Sequence, residues 1–262
     1  MRIPCMRSSL FARIVFMLVA VSARADDYSF TGYARSLDTG ELLYVESHVV
    51  TDGGSPRETR VVLYQCAVDS APFARKQLEY SGRRTSPAFT FEDARSGFAE
   101  GFERDAHRLT VFERAGSQAP LRREAISPTR TLVVDAGFDE FVREQWEPLE
   151  RGASSRVPFL VPSLLESVDF RVRKVAEVTI DGESASVIRL SLAGALGWFL
   201  PDIDVTYRNR DRRLMRYRGL TNIRDAGGEL LKAQIDFPES AQTRSTESLA
   251  NLIAQPLTAE CR

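Results

Sequence analysis

The chain is poor in the residues that build metal and redox centres: its 262 residues include three Cys and two His. That supply leaves little for a Cys/His metal site, and no Cys-x-x-Cys occurs, which excludes a thioredoxin-type relay. Lysine is equally scarce, with Lys76, Lys174 and Lys232 the only three among 35 basic residues. No charge of one sign dominates, since 36 acidic residues balance those 35, and a dedicated nucleic-acid binder is thereby disfavoured. The short signatures of hydrolases and nucleotide binders (G-x-S-x-G, H-E-x-x-H, G-x-G-x-x-G, the P-loop) are absent as well. Composition and motifs together point to a folded protein with no enzyme's constellation and no cofactor.

What is present begins with a leader. Arg2, Arg7 and Arg13 supply a positive start, Ile14 to Val21 an apolar run, and Ala23-Arg24-Ala25 a small-residue cleavage site. Residues 1–25 read as a secretory signal peptide with cleavage before Asp26, and the run is too short to span a bilayer as a helix. Cys5 precedes the apolar run, so it is not a lipidated cysteine following one. The leader carries four Arg and no acid, leaving 31 basic groups against 36 acidic ones and a mature charge of −5. Residues 26–262 are then expected to form one exported domain, periplasmic or secreted and not integral to the membrane, with a less ordered tail from about 239. Cys66 and Cys261 remain in that mature chain as a candidate disulfide. A loop of that length would contribute on the order of 4 kcal/mol.

Period-two alternation dominates the mature sequence. Val168 to Ile180 is the clearest stretch, with Val168, Phe170, Val172, Ala176, Val178 and Ile180 on one face and Lys174 interrupting it. Asp181-Gly182 marks a tight hairpin, and Ala185 to Leu192 returns. Further pairs are Tyr28 to Ser36 with Leu42 to Thr51, and Arg60 to Cys66 with Arg75 to Tyr80. Phe89 and Phe91, Leu109 and Val111, Ile203 to Tyr207, Leu214 to Arg218, and Leu231 to Phe237 add more. The expectation is a mainly β protein: one long curved antiparallel sheet, an open or half barrel of about ten to twelve strands. One amphipathic helix interrupts it, with Phe138, Phe141, Val142, Gln145, Trp146 and Leu149 at helical spacing and Pro148 ending it. A short second helix is expected over Glu247 to Ala254. The first helix needs apolar surface to lie on, and the concave face of the sheet supplies it.

Candidate chemistry is thin. His48 and His107 each qualify as a general base if an acidic or nucleophilic partner lies in reach, the requirement for an envelope hydrolase. Asp202 and Asp204 share a face of an extended segment, either as a solvated start to a strand or as two ligands short of a cation site. Arg208, Arg210, Arg212, Arg213, Arg216, Arg218 and Arg224, with Tyr207 and Tyr217, form either a solvated sheet face or a surface for anionic lipid headgroups. Two apolar stretches, Val157 to Leu165 and Leu192 to Pro201, either fill the core or line a ligand pocket together with the helix. Phe138, Phe141, Trp146, Trp198 and Phe199 are the candidate lining residues.

An export signal, a meander of long strands and a helix between early and late halves of the sheet together resemble a known group. They are similar to the periplasmic half-barrel proteins related to the lipoprotein carriers of Gram-negative bacteria. The stretch VTYRNRDRRLMRYRGLTNIRD at 205–225 resembles the late hairpin of uncharacterised exported β-proteins of that type. The resemblance covers most of residues 26–240 and implies a concavity that holds a lipid or acyl chain; it transfers no specific contact residue. The competing expectation is an envelope scaffold or protein-interaction module with no ligand cavity.

Overall fold

The computed structural model describes residues 26–105, 108–127, 131–194, 201–245 and 247–260. Its first half is a run of antiparallel hairpins: β1 (Asp26–Ser36), β2 (Leu42–Gly53), β3 (Thr59–Gln65), β4 (Pro72–Glu79), β5 (Ala88–Asp93), β6 (Phe98–Arg104), β7 (Leu109–Arg114) and β8 (Arg122–Ile126). Two short helices follow, α1 (Gly137–Glu144) and α2 (Trp146–Glu150). A second meander then runs through β9 (Ser154–Val161), β10 (Glu166–Ile180), β11 (Glu183–Leu192), β12 (Ile203–Arg208), β13 (Leu214–Arg224) and β14 (Leu230–Asp236). The meanders join where β1 pairs with β14, Ala34 opposite Ile235. All strands therefore belong to one antiparallel sheet, ordered β8 to β1 and then β14 to β9. The chain ends with β15 (Thr243–Arg244), which pairs with β1, and α3 (Leu249–Ala254), which begins two residues later than its sequence pattern suggests.

Fifteen strands among the described residues exceed the ten to twelve expected. β6 was hidden because Glu100 and Gly101 break the apolar run between Phe98 and Phe102. β8 is an edge strand, exposed at four of its five positions, and carries no alternation to read. β9 looked like a plain apolar stretch because it holds Pro158, a residue that strands tolerate at an edge. The long strand is present with its turn: Asp181 and Gly182 both take positive φ (51° and 79°), the mirror-image hairpin geometry. Its register slips between Lys174 and Ala176, a bulge that divides its alternation in two.

The expected single helix is two. It breaks at Gln145, and Pro148 does not end it but sits in the first turn of α2, where a missing N–H costs nothing. Phe138, Val142, Trp146 and Leu149 pack on Val157, Val172, Ile188, Leu190 and Val205. The helical pair thus covers the concave face of β9–β12 and not the whole sheet. The other half is filled by Tyr44, Tyr64, Phe89, Phe91, Phe98 and Phe102, with Leu132 and Val134 from the segment before α1. That segment bridges the concavity: Val133 pairs in parallel with Phe159 on edge strand β9, while the Val134 N–H donates to the Thr85 carbonyl (3.0 Å). On the convex side, Leu252 of α3 packs over Val49, Val61 and Leu63, which is why β3 is buried on both faces.

Gly137 fixes how close α1 approaches. A Cβ there would lie 2.1 Å from the Thr85 carbonyl oxygen and 2.8 Å from Pro87 Cδ. Helix propensity alone favours Ala over Gly by about 1 kcal/mol. The clash is with backbone, so Gly137→Ala is expected to destabilise by about 1–3 kcal/mol instead. Urea unfolding checks this, and a stabilised variant would show that the contact has slack.

Candidate functional site

Inward-facing positions on β1–β8 align across the strands into one row: Phe30, His48, Val62, Lys76, Phe91, Glu100, Glu113 and Arg122. A sheet face meant only for packing would be apolar throughout. Here His48, Lys76, Glu100 and Glu113 are buried side chains. Lys76 Nζ donates to Asp135 Oδ2 (2.6 Å), and Asp135 arrives on the bridging segment just before α1. Burial draws the Lys76 ammonium down, and the Asp135 carboxylate more than restores it, so its pKa ends above the ordinary lysine value. Glu100 is less well served: burial pushes its carboxyl up to about 7.

His48 has the acidic neighbour that the hydrolase reading asks for, with Nε2 and Glu46 Oε2 3.0 Å apart. Yet the ring is stacked on Phe30 (4.3 Å between centroids), met edge-on by Phe237, and buried. Burial lowers its pKa and keeps it neutral at pH 7. The group is a packed core imidazole. His107 lies outside the described residues.

At the end of the sheet capped by α1, charged groups meet. Arg84 bridges Glu58 Oε2 (2.7 Å) and Glu140 of α1 (3.1 Å), and its guanidinium lies 4.8 Å from the Tyr80 ring. Arg60 lies beneath, on the inner face of β3, with Glu58 Oε1 3.4 Å from its Nη2. Asp139 accepts from the buried Tyr207 hydroxyl (2.7 Å), and Arg143 donates to Glu140.

The candidate pairs and patches are mostly neutralised. Asp202 and Asp204 do share a face, and both contact Arg189 (3.2 and 2.7 Å). Among the described residues no group of three or more His, Cys, Asp or Glu is placed to hold a metal. In the Arg-rich stretch, Arg208 binds Asp211 and Glu239, Arg210 binds Glu183, Arg212 binds Glu147, and Arg216 binds Asp236. Arg213 and Arg224 donate to the carbonyls of Phe237 and Gly228. Most of that stretch is therefore engaged with the protein's own acceptors, which leaves little of it as a lipid-headgroup surface.

Of the candidate lining residues, Phe138 and Trp146 are buried against the sheet and Phe141 is partly buried beside them; Trp198 and Phe199 lie outside the described residues. Two open spaces are lined mostly by charged and polar residues. One cleft of about 250 Å³ is lined by Arg189, Asp202, Asp204, Arg218, Gly219 and Lys232. A shallow groove of about 750 Å³ is lined by Tyr28, Gly53, Gly54, Glu239, Thr243 and Arg244. Sequence reasoning missed Arg60, Lys76, Tyr80 and Glu100. A readable signal existed for two of them: Lys76 between Ala74 and Leu78, and Glu100 between Phe98 and Phe102, put a charge in phase with the apolar face.

No protein-family pattern matches the sequence, and no curated protein matches it. Several solved structures are similar. A β-barrel-like protein of domain of unknown function DUF1849 from Brucella abortus is 11% identical, over 85% of this chain and 99% of that one, at a TM-score of 0.43. A DUF1329 family protein from Desulfovibrio piger is 12% identical over 88% and 90%, at 0.27. A Vibrio parahaemolyticus domain described as an outer membrane lipoprotein-sorting protein is 5% identical over 87% and 89%, at 0.28.

Proposed function

We propose that the mature chain is an exported, non-enzymatic protein of the cell envelope that binds a lipid or acyl chain on the concave face of β9–β12. One observation carries this reading. Among the described residues, a continuous apolar stripe (Val157, Val172, Ile188, Leu190, Val205) is covered by the short α1–α2 pair, Val133 of the bridging segment and its own flanking side chains. Helices of eight and five residues have almost no stability of their own. Polar ties at their margins hold them down: Lys174 to Glu150 (2.6 Å), Ser186 to Glu150 (2.6 Å), Tyr207 to Asp139 (2.7 Å) and Arg212 to Glu147 (3.4 Å). An acyl chain gains about 0.8 kcal/mol per buried methylene, so a long one competes with α1–α2 for the stripe. Phe138, Phe141 and Trp146 would then move from the sheet to the ligand.

The scaffold reading keeps one observation of its own: the concavity of β1–β8 is filled by protein side chains. Within the exported reading, Cys66 pairs with Cys261. The Thr258 N–H donates to the Pro72 carbonyl (2.8 Å), and Pro72 lies opposite Gln65. Three further residues span at most about 10 Å, enough to return to Cys66. Among the described residues no helix is long and apolar enough to cross a membrane.

Native mass spectrometry of the protein purified from its exported compartment tests all of this at once. The expected spectrum shows an amino terminus at Asp26, a mass surplus lost on denaturation, and a denatured mass two hydrogens short. A bare native mass would turn the assignment to the scaffold.

A further inference from the structure

We infer that the ligand is an acidic amphiphile whose carboxylate or phosphate head is held by Arg60, at the end of the concavity capped by α1. The inference rests on the acyl-chain reading above and names the chemical class of that ligand.

Arg60 is an arginine in the wrong place for a merely structural role. It sits on the inner face of β3, opposite Val50 and Leu78, and its side chain is 10% exposed. Its guanidinium lies 5.9 Å from the Phe30 ring and 5.7 Å from the Tyr80 ring. A buried cation needs a well-placed anion, because desolvation is costly and aromatic faces return only part of that cost. Two carboxylates act on Arg60, and both are engaged elsewhere: Asp139 of α1 accepts from the Tyr207 hydroxyl (2.7 Å), while Glu58 has its nearer oxygen 3.4 Å from Arg60 and its other oxygen accepting from Arg84 (2.7 Å) and the Gly54 N–H (2.8 Å).

Polar atoms around Arg60 are left over. Among the described residues, its own Nε, the buried Tyr80 hydroxyl and Nδ1 of the buried His48 have no hydrogen-bonding partner. All three groups border the Phe30–Tyr80 neighbourhood, since the His48 ring stacks on Phe30. Arg60 Nε–H and the Tyr80 O–H are donors, the complement of an anionic oxygen.

A surface groove adjoins this end. The 750 Å³ groove has Tyr28 on its wall, and Tyr28 stacks on Phe30 at 6.1 Å. The charges acting on the Tyr28 hydroxyl are those of Arg60, Glu58, Arg143 and Asp139, drawn from β3, the β2–β3 connection and α1. A head entering from the groove past Tyr28 reaches Arg60, while its tail runs under α1, whose Asp139 and Phe138 are neighbours in sequence.

Dodecanoate and dodecan-1-ol at pH 8, displacing an uncharged fluorescent acyl probe from the mature protein, separate the outcomes. The acid is expected to bind at least about tenfold more tightly than the alcohol, the range of a charge-assisted hydrogen bond. Arg60→Met should bring that ratio to about one and leave the alcohol unchanged. Tyr80→Phe keeps the cation and should lower the ratio about threefold, which covers the case of an Arg60→Met chain that does not fold. Dodecyl phosphate preferred over dodecanoate would assign the head to phosphate, within the same inference. Equal binding of acid and alcohol to the unaltered protein would overturn this inference alone and leave those donors to buried water. Binding of neither would overturn the acyl-chain reading and this one with it.

Discussion

Lys76→Met is expected to lower the free energy of unfolding by about 3–5 kcal/mol, the loss that follows when one member of a buried ion pair is removed. Lys76 Nζ is 2.6 Å from Asp135 Oδ2, with side-chain exposures of 10% and 19%. Deleting the ammonium leaves a carboxylate facing Phe89 and Phe91, the rings that flank Lys76 at 5.8 and 6.0 Å. Asp135 cannot simply turn away, because its other oxygen accepts from the Ala136 N–H (2.7 Å) and its backbone is held at φ 45°. Removing both charges, Lys76→Met with Asp135→Asn, should recover most of the loss, since matched apolar and neutral groups need no compensation. Urea unfolding at pH 7 measures both. A loss below 1 kcal/mol in the single variant would show that water reaches the pair. Asp135 is also the last residue of the bridge before α1, so hydrogen exchange over 137–150 is expected to quicken in the single variant.

Stability is expected to fall as pH rises from about 4.5 to about 7, because Glu100 is a buried acid whose carboxyl prefers its proton. Burial is the largest cause of its rise from 4.5 to about 7; Asp135 and Glu113 add to it, and Lys76 and Arg224 oppose it. In that window the native state holds a proton that the unfolded chain has released, so unfolding becomes easier with each step up in pH. The full effect is on the order of 3 kcal/mol, present below pH 4.5 and lost above pH 7. His48 acts in the opposite sense, since burial lowers its pKa and the unfolded chain binds the extra proton below pH 6.5. The difference between wild type and Glu100→Gln therefore isolates the carboxyl. Chemical unfolding at pH 5 and pH 8 should show the Gln variant losing about 2–3 kcal/mol less across that interval. Equal losses would place Glu100 in contact with solvent.

These charged positions define the limit of what alternation reveals. In β4 and β6, period two correctly divides residues between faces, and it puts Lys76 in line with Ala74 and Leu78, and Glu100 in line with Phe98 and Phe102. A local pattern carries no information on what stands opposite. Asp135 is 59 residues from Lys76 in sequence, and only folding brings it there. The helix shows the same division. Phe138, Val142, Trp146 and Leu149 were legible as one apolar face from their spacing, and that face is buried. Its break at Gln145, and its place on β9–β12 alone, were not legible.

By itself the sequence determined the strand-rich character of the chain, the hairpin at Asp181–Gly182, and the amphipathic face of the 138–149 segment. Each follows from side-chain periodicity or from the positive φ that a tight turn demands, and those causes act within a few residues. Tertiary structure alone decided that β1 joins β14, that residues 131–135 cross the concavity, and that Arg60, Lys76 and Glu100 are buried on the inner face. Closure of two meanders into one sheet depends on contacts between residues about 200 positions apart, such as Ala34 with Ile235. The electrostatics of an interior exist only once that closure has removed the solvent.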